Sequence, residues 1–579
     1  MTNLKLFLNG KLNLYIFSLF IFIFFTYYVR HLDYGLPYFY NADEIAHLKS
    51  VLYFFGYFSD ANQNIVEPIY SPFLNFILSS IIILIYNLFY LNLSFSELEG
   101  FFFLNPDQLI LVLRFASLIF SCAFFFMIFL ICKKLKFKTF TYIILSVSLF
   151  FSPFILDTAL VVGKNSILNF LFLLQFYFFL KYLLKIENFK FKSYILFSIL
   201  GSLAWGVNYW CATPSLYAVA ILHYKKFKYK KIKNIILFII LFFLIGILPN
   251  ALITSDNPLV HLFADTIINS KDYYENSNKL FVFFEDIKNT FIIFSTFEKF
   301  LLICLVISLF LNQRIQNNNV RIVYFSTLFL SAEPILLFAV ADYAYPQLRY
   351  FGPSFVFMYL NIFMILNKIK FEKFQSLLSI TIISIYFLLI FSFENKIKIN
   401  NNYLNVLKNK YNQYEALSDV SKKFKNTLIL MPAVYRENIQ SLNLYSELLN
   451  SKIISLNPNA DGKNSLEQIE YKKNKILQLK IEKNLIPNSN NYIFFGGEFV
   501  INDNQKFIKR IQKKYDYILI PKGYVEINEN LKSNFNLISI YEGSNIDKPR
   551  TYLKNYKNYN FKNIKLGPSL LLYSLKDKT

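Results

Sequence analysis

The sequence predicts a polytopic α-helical membrane protein of about 11 transmembrane helices, followed by a C-terminal α/β domain outside the membrane. Three observations lead there. Apolar runs long enough to cross a bilayer recur from residue 12 to about residue 393. Lys/Arg-rich connectors fall between them at regular intervals. Beyond residue 394 the long apolar runs stop, Asn and Lys rise, and strand-like segments alternate with helical ones.

The clearest spans are 12–29, 109–132, 139–156, 165–184, 193–210, 212–224, 234–253, 291–312, 322–341, 351–367 and 375–393. The basic connectors are 133–138, 185–192, 225–233, 314–321 and 368–373, and two spans separate each from the next. Positive loops stay cytoplasmic, so an even number of crossings between them closes the topology with the N-terminus inside and the C-terminus outside. Lys5 and Lys11 precede the first span as in a signal peptide, but the run continues to Arg30 without a small-residue cleavage site, so it reads as a retained anchor.

Residues 73–92 test this scheme. They are apolar enough to cross, yet a crossing would put the N-terminus and the 133–138 connector on opposite sides. The expectation is that they lie in the membrane surface or enter partway, with Asn75, Ser79 and Ser80 on a partly wet face. The rival is a twelfth crossing with an external N-terminus.

The net charge of +23 does not imply nucleic acid. Much of it lies in short loops between spans, where topology accounts for it, and neither zinc-finger spacing nor an RNP-type aromatic signature is present. Cys122, Cys132, Cys211 and Cys304 lie in or beside apolar spans with no paired spacing, so neither a disulfide framework nor a thiolate metal site is expected. There is no Asp-x-Asp motif, and a divalent metal, though chemically possible, is not favoured; no cofactor is expected.

The division is a transmembrane domain, 1–393, with a first external loop at 31–108, and a soluble domain, 394–579. Expected strands in the latter are Thr427–Pro432, Tyr492–Phe495, Asp516–Pro521, Leu537–Tyr541 and Leu570–Ser574, with helices at Ser465–Lys483 and Gln505–Lys514. Phe495-Gly-Gly-Glu498 is too short for a phosphate-binding loop, and internal repeats are absent from the sequence.

Eleven crossings place Asp43, Glu44, Glu67, Asp157, Lys164, His261, Asp265, Asp342 and Arg349 on the outer face. The adjacent carboxylates Asp43-Glu44, just past the first span, are the most informative, because such a pair is costly to keep near lipid. Tyr70-Ser-Pro-Phe-Leu74 follows, then Arg114-Phe-Ala-Ser117 leading a span, and later Arg349-Tyr-Phe-Gly-Pro353 opening another. That order of features from residue 31 to about 367 resembles the GT-C glycosyltransferases, nearest to the protein O-mannosyltransferases and the lipid A aminoarabinose transferases. Two departures stand out: Ser71-Pro72 replaces the double proline of many relatives, and Lys164-Asn165 occupy the position where an Asp is frequent.

The resemblance implies an inverting transferase acting on a polyprenyl-phosphate-linked sugar. The acceptor would be a hydroxyl of a lipid, glycan or protein, met at the periplasmic face of the inner membrane. Such chemistry needs a carboxylate to take the acceptor proton and cations against the departing phosphate. Asp43 is the expected base, with Glu44 orienting the sugar or neighbouring groups. Arg349, with Tyr350 beside it, and Lys164 are the phosphate candidates, Arg through its planar fork. His47, on a shared helical face with the pair, Asp157 and Arg114 complete the candidate substrate-binding set. Each has a plainer reading as well: a helix cap for the acidic pair, a headgroup anchor for Arg349 and Tyr350, an interfacial lysine for Lys164, a helix-end residue for Asp157 and a structural partner of a loop carboxylate for Arg114. The competing classes are a transporter or lipid flippase, which calls for ionisable groups in mid-span, and a non-catalytic membrane scaffold.

Overall fold

The computed structural model describes residues 2–33, 69–94, 106–249, 279–298, 301–311, 318–340, 351–368, 396–401, 427–432, 451–455, 463–465, 491–496, 498–501, 512–522, 525–527, 535–544 and 569–575, with scattered single residues at 44–54, 97–101 and 388–426. The chain is mostly helical: α1 Thr2–Val29, α2 Tyr70–Tyr86, α3 Pro106–Lys134, α4 Thr139–Phe150, α5 Pro153–Leu160, α6 Lys164–Leu184, α7 Phe191–Trp205 and α8 Thr213–Phe227. Then follow α9 Ile232–Phe242, α10 Lys279–Phe297, α11 Leu301–Leu311, α12 Asn318–Val340 and α13 Gly352–Lys368. Several are long and apolar enough to span a membrane, α3 and α6 among them.

The basic connectors gather at one end of the bundle. Lys226 Nζ donates to the carbonyls of Glu187 (2.8 Å) and Phe189 (2.6 Å), and Lys225 bonds Asn319. Asn367 bridges the 136–138 turn, accepting from Lys138 N (2.7 Å) and donating to Lys136 O (3.1 Å). An aromatic seam joins α1 to α3 in antiparallel register: Phe25 meets Phe115 near one end, and Phe17 stacks on Phe129 near the other. Leu32, just past α1, bonds Arg114 near the start of α3. The first loop therefore leaves and re-enters at the same end of the bundle, and the N-terminus shares its end with the 133–138 connector.

Inside that loop, α2 runs into a π turn, Asn87–Leu91, giving one helix long and apolar enough to cross. Its Ser71, Asn75 and Ser79, spaced four apart, are buried, whereas Ile77, Ile81, Leu84 and Leu88 are exposed. The polar stripe faces protein and the apolar face looks outward, so α2 is built for lipid. The expectation of a partly wet helix is corrected on this point: the serines and Asn75 are turned inward.

Three expected spans are not single helices. Residues 139–156 break after Phe150, where Pro153 disfavours helical backbone at Ser152, and α5 departs at 64°. Residues 193–210 end as α-helix at Trp205; Gly206 stops α7 and a 3₁₀ turn, Tyr209–Ala212, leads into α8. Residues 291–312 divide at Glu298 into α10 and α11. In each case the apolar composition runs through a break that a proline, a glycine or a charged residue marks. The span expected at 375–393 lies almost wholly outside the described residues.

All five expected strands are present, among nine in the described residues: β1 Thr427–Pro432, β2 Ser451–Ser455, β3 Lys463–Ser465, β4 Asn491–Gly496, β5 Glu498–Ile501, β6 Tyr517–Pro521, β7 Val525–Ile527, β8 Phe535–Tyr541 and β9 Leu570–Leu575. Six form a sheet in the order β2-β4-β1-β6-β9-β8. Its first four strands are parallel and β9 is antiparallel to both neighbours. Leu428, Ile429 and Leu430 of β1 and Ile518, Leu519 and Ile520 of β6 are consecutive buried residues, as central parallel strands require. A smaller parallel sheet, β3-β5-β7, accompanies it. The helix expected at Ser465–Lys483 lies outside the described residues, and of Gln505–Lys514 only 512–514 is described, as helix.

Candidate functional site

Glu44 is wholly buried and clamped from two sides. Arg114 of α3 grips it bidentately, Nε to Oε1 at 2.8 Å and Nη2 to Oε2 at 2.9 Å. The backbone N–H of Val162, in the turn between α5 and α6, donates to the same Oε1 at 3.0 Å. Arg114 is itself fully buried and spends Nη1 on the carbonyl of Leu32 (2.8 Å). A buried carboxylate is stable only when its lone pairs are met this way, and the planar fork of Arg meets two at once. The clamp joins the first loop, the start of α3 and the turn that carries Lys164. Arg114 takes the loop-carboxylate partner that its plainer reading foresaw.

His47 is buried one helical turn past Glu44 and hydrogen-bonds Asn75 on the inward stripe of α2. The bond couples the acidic segment to α2. The start of α2 is fastened in turn to the break after α7. Tyr70 N donates to Gly206 O at 2.9 Å, and Tyr70 OH donates at 2.5 Å to Ile245 O, in the π turn Phe243–Ile247 that ends α9. A Cβ at Gly206 would fall 1.9 Å from the Tyr70 ring, so only glycine admits that seat.

Lys164 opens α6, half-buried, behind Gly163. Along the inward face of α6, Asn165 Oδ1 and both amide atoms of Asn169, one turn on, are buried with no hydrogen-bond partner among the described residues. Asn169 lies against Gly352 at the head of α13, three residues beyond Arg349. Asp157 lies on α5, but its side chain is outside the described residues, as are Asp43, Arg349, Tyr350, Glu67, His261, Asp265 and Asp342.

The break between α7 and α8 is sunk into the bundle. Gln175 anchors it, donating to Cys211 O (3.0 Å) and accepting from Ser215 N (3.1 Å). Gln175 lies eleven residues after Lys164, about 16 Å down the helix axis. Near this level stands Glu333 of α12, 7% exposed, with neither carboxylate oxygen meeting a hydrogen-bond donor among the described residues. Thr213 lies beside it but donates its hydroxyl to Trp210 O (2.9 Å). Trp210 packs against Phe172, and Trp205 packs edge-on against Phe242 in the core.

A second buried carboxylate went unforeseen. Glu298, at the α10–α11 break, pairs with Lys396 (2.5 Å), accepts from Tyr359 OH (2.5 Å) and from Ser152, and is sealed from solvent. Lys396 also bonds Tyr359, and Asn400 donates to Phe151 O (3.1 Å), so the 396–401 segment docks into the break after α4. Glu298 and Glu333 both lie inside expected apolar spans, and a carboxylate in such a run is the signal that would have found them.

Among the described residues no group of three His, Cys, Asp or Glu side chains is placed to hold a metal, and the four cysteines are free thiols. No protein-family model matches the chain, and no curated protein matches it either.

Proposed function

We propose that this protein is a membrane glycosyltransferase that moves a sugar from a polyprenyl-phosphate donor to a hydroxyl of a lipid, glycan or protein, on the side of the membrane opposite the basic connectors. The observation that carries the reading is the Glu44 clamp. A fully buried Glu–Arg fork with a third donor from the α5–α6 turn is a large outlay for a loop, and it holds Glu44 against the turn that leads into Lys164. Asp43 acts as general base on the acceptor hydroxyl, Glu44 fixes its segment, and Lys164 with Arg349 neutralises the departing lipid phosphate. Tyr350 and Asp157 remain candidate substrate contacts; His47 and Arg114 act by positioning. The open hydrogen-bonding groups of Asn165 and Asn169 suit sugar hydroxyls. On this reading the protein sits in the inner membrane with its N-terminus cytoplasmic and its α/β domain periplasmic.

The test is transfer from radiolabelled undecaprenyl-phosphate sugars in membranes carrying wild type or Asp43→Asn. Loss of a general base lowers the rate by about 10²–10⁴-fold. Equal labelling in wild type, mutant and empty membranes across a broad donor panel would remove the proposal.

Glu333 favours a second reading. A buried carboxylate with no donor among the described residues, inside a largely apolar helix, is a familiar element of proton-coupled transport. Glu333→Gln keeps the shape and removes the charge. Under the transferase reading it leaves the pH profile of transfer in place; under the transport reading it abolishes proton-coupled substrate uptake into proteoliposomes.

A further inference from the structure

At the connector end, a cavity of about 820 Å³ opens among the ends of α3, α6, α12 and α13. Lys133, Lys134 and Lys136 line it from the α3–α4 turn, and Lys181 and Lys185 from the last turn of α6. Val323 and Met364 form part of its apolar wall. All five lysines are exposed, and among the described residues none is paired with a carboxylate. Topology accounts for lysines on cytoplasmic connectors, but it does not require five to converge on one concavity, where they repel one another.

We infer that this cavity binds the phosphate headgroup of an anionic phospholipid, with the acyl chains leaving along the apolar wall between the helices. Three features select a lipid over a soluble phosphate. The cavity lies at the ends of α3 and α6, both long and apolar enough to span a membrane; Leu130, Leu184, Val323 and Met364 line it beside the lysines; and its cations are compact ammonium groups suited to a phosphodiester of low charge. Lys181 also lies over the Phe178 ring, 5.3 Å from its centroid, which keeps one ammonium at the rim. The site is at the opposite end of the bundle from the Glu44 clamp and is independent of the transferase reading.

The experiment is native mass spectrometry of the full-length protein titrated with phosphatidylglycerol, with phosphatidylcholine as the zwitterionic control. Near a membrane surface each lysine contributes roughly fivefold in affinity. Lys133→Gln/Lys136→Gln/Lys181→Gln is therefore expected to weaken phosphatidylglycerol retention on the order of a hundredfold. Lys228→Gln/Lys230→Gln, on a neighbouring connector outside the cavity, is expected to change it little. Equal loss in both variants would mean general surface charge, and unchanged retention in the triple variant would place the lipid elsewhere; either overturns the inference. Competition by excess inorganic phosphate or glycerol phosphate at unchanged ionic strength would also overturn it, by assigning the cavity to a soluble anion.

Discussion

The two ends of the bundle treat charge in opposite ways. At the connector end, lysines are exposed, and those around the cavity have no ion-pair partners among the described residues. Toward the other end and within the bundle, Glu44, Arg114, Glu298 and Lys396 are sealed from water, and each is met by a matched partner. The first pattern costs little and can drift, because water and counterions solvate every group. The second tolerates no drift, since an unpaired charge in a low-dielectric interior is strongly destabilising. Charge at the connector end is therefore free to serve topology and binding, whereas charge within reports geometry that the fold must maintain.

Breaking a buried pair gives the largest expected effect on stability. Arg114→Leu leaves Glu44 buried and alone, and should lower stability by about 3–5 kcal/mol. A thermal midpoint in detergent reads this, and the double variant Glu44→Leu/Arg114→Leu should recover most of the loss without recovering transfer. If the single variant is as stable as wild type, the clamp is not the anchor described here. Lys396→Met should be comparable, about 3–5 kcal/mol, since it strands Glu298. It should also undock the 396–401 segment, which faster cleavage by added protease would reveal. The mildest change is Tyr70→Phe, which removes one hydrogen bond to Ile245 O and should cost about 1 kcal/mol. An unchanged melting temperature there would mean that the backbone bond to Gly206 seats α2 unaided.

The helical class, the one-sided connectors and five strands were legible because periodicity and loop charge act locally along the chain. Lys136 and Asn367 are far apart in sequence, yet the even spacing of basic connectors was enough to place them at one end. The breaks were not legible. Residues 139–156 and 291–312 are apolar throughout by composition, and Pro153 and Glu298 interrupt them through backbone sterics and a buried pairing that hydropathy does not register. The site was half legible. Asp43-Glu44 drew notice as adjacent carboxylates, but that Glu44 would be consumed by Arg114, seventy residues on, is a property of the packed structure. Glu333 was passed over because one charge in a long apolar run barely changes its average.

The inverted dressing of α2 carries one more consequence. Its inner stripe of Ser71, Asn75 and Ser79 touches protein, and its outer face of Ile77, Ile81, Leu84 and Leu88 requires hydrocarbon. That outer face is suited to lipid as its solvent. Through Asn75 and His47, the segment that holds Glu44 rests against α2, so whatever covers the apolar outer face of α2 bears on the site as well.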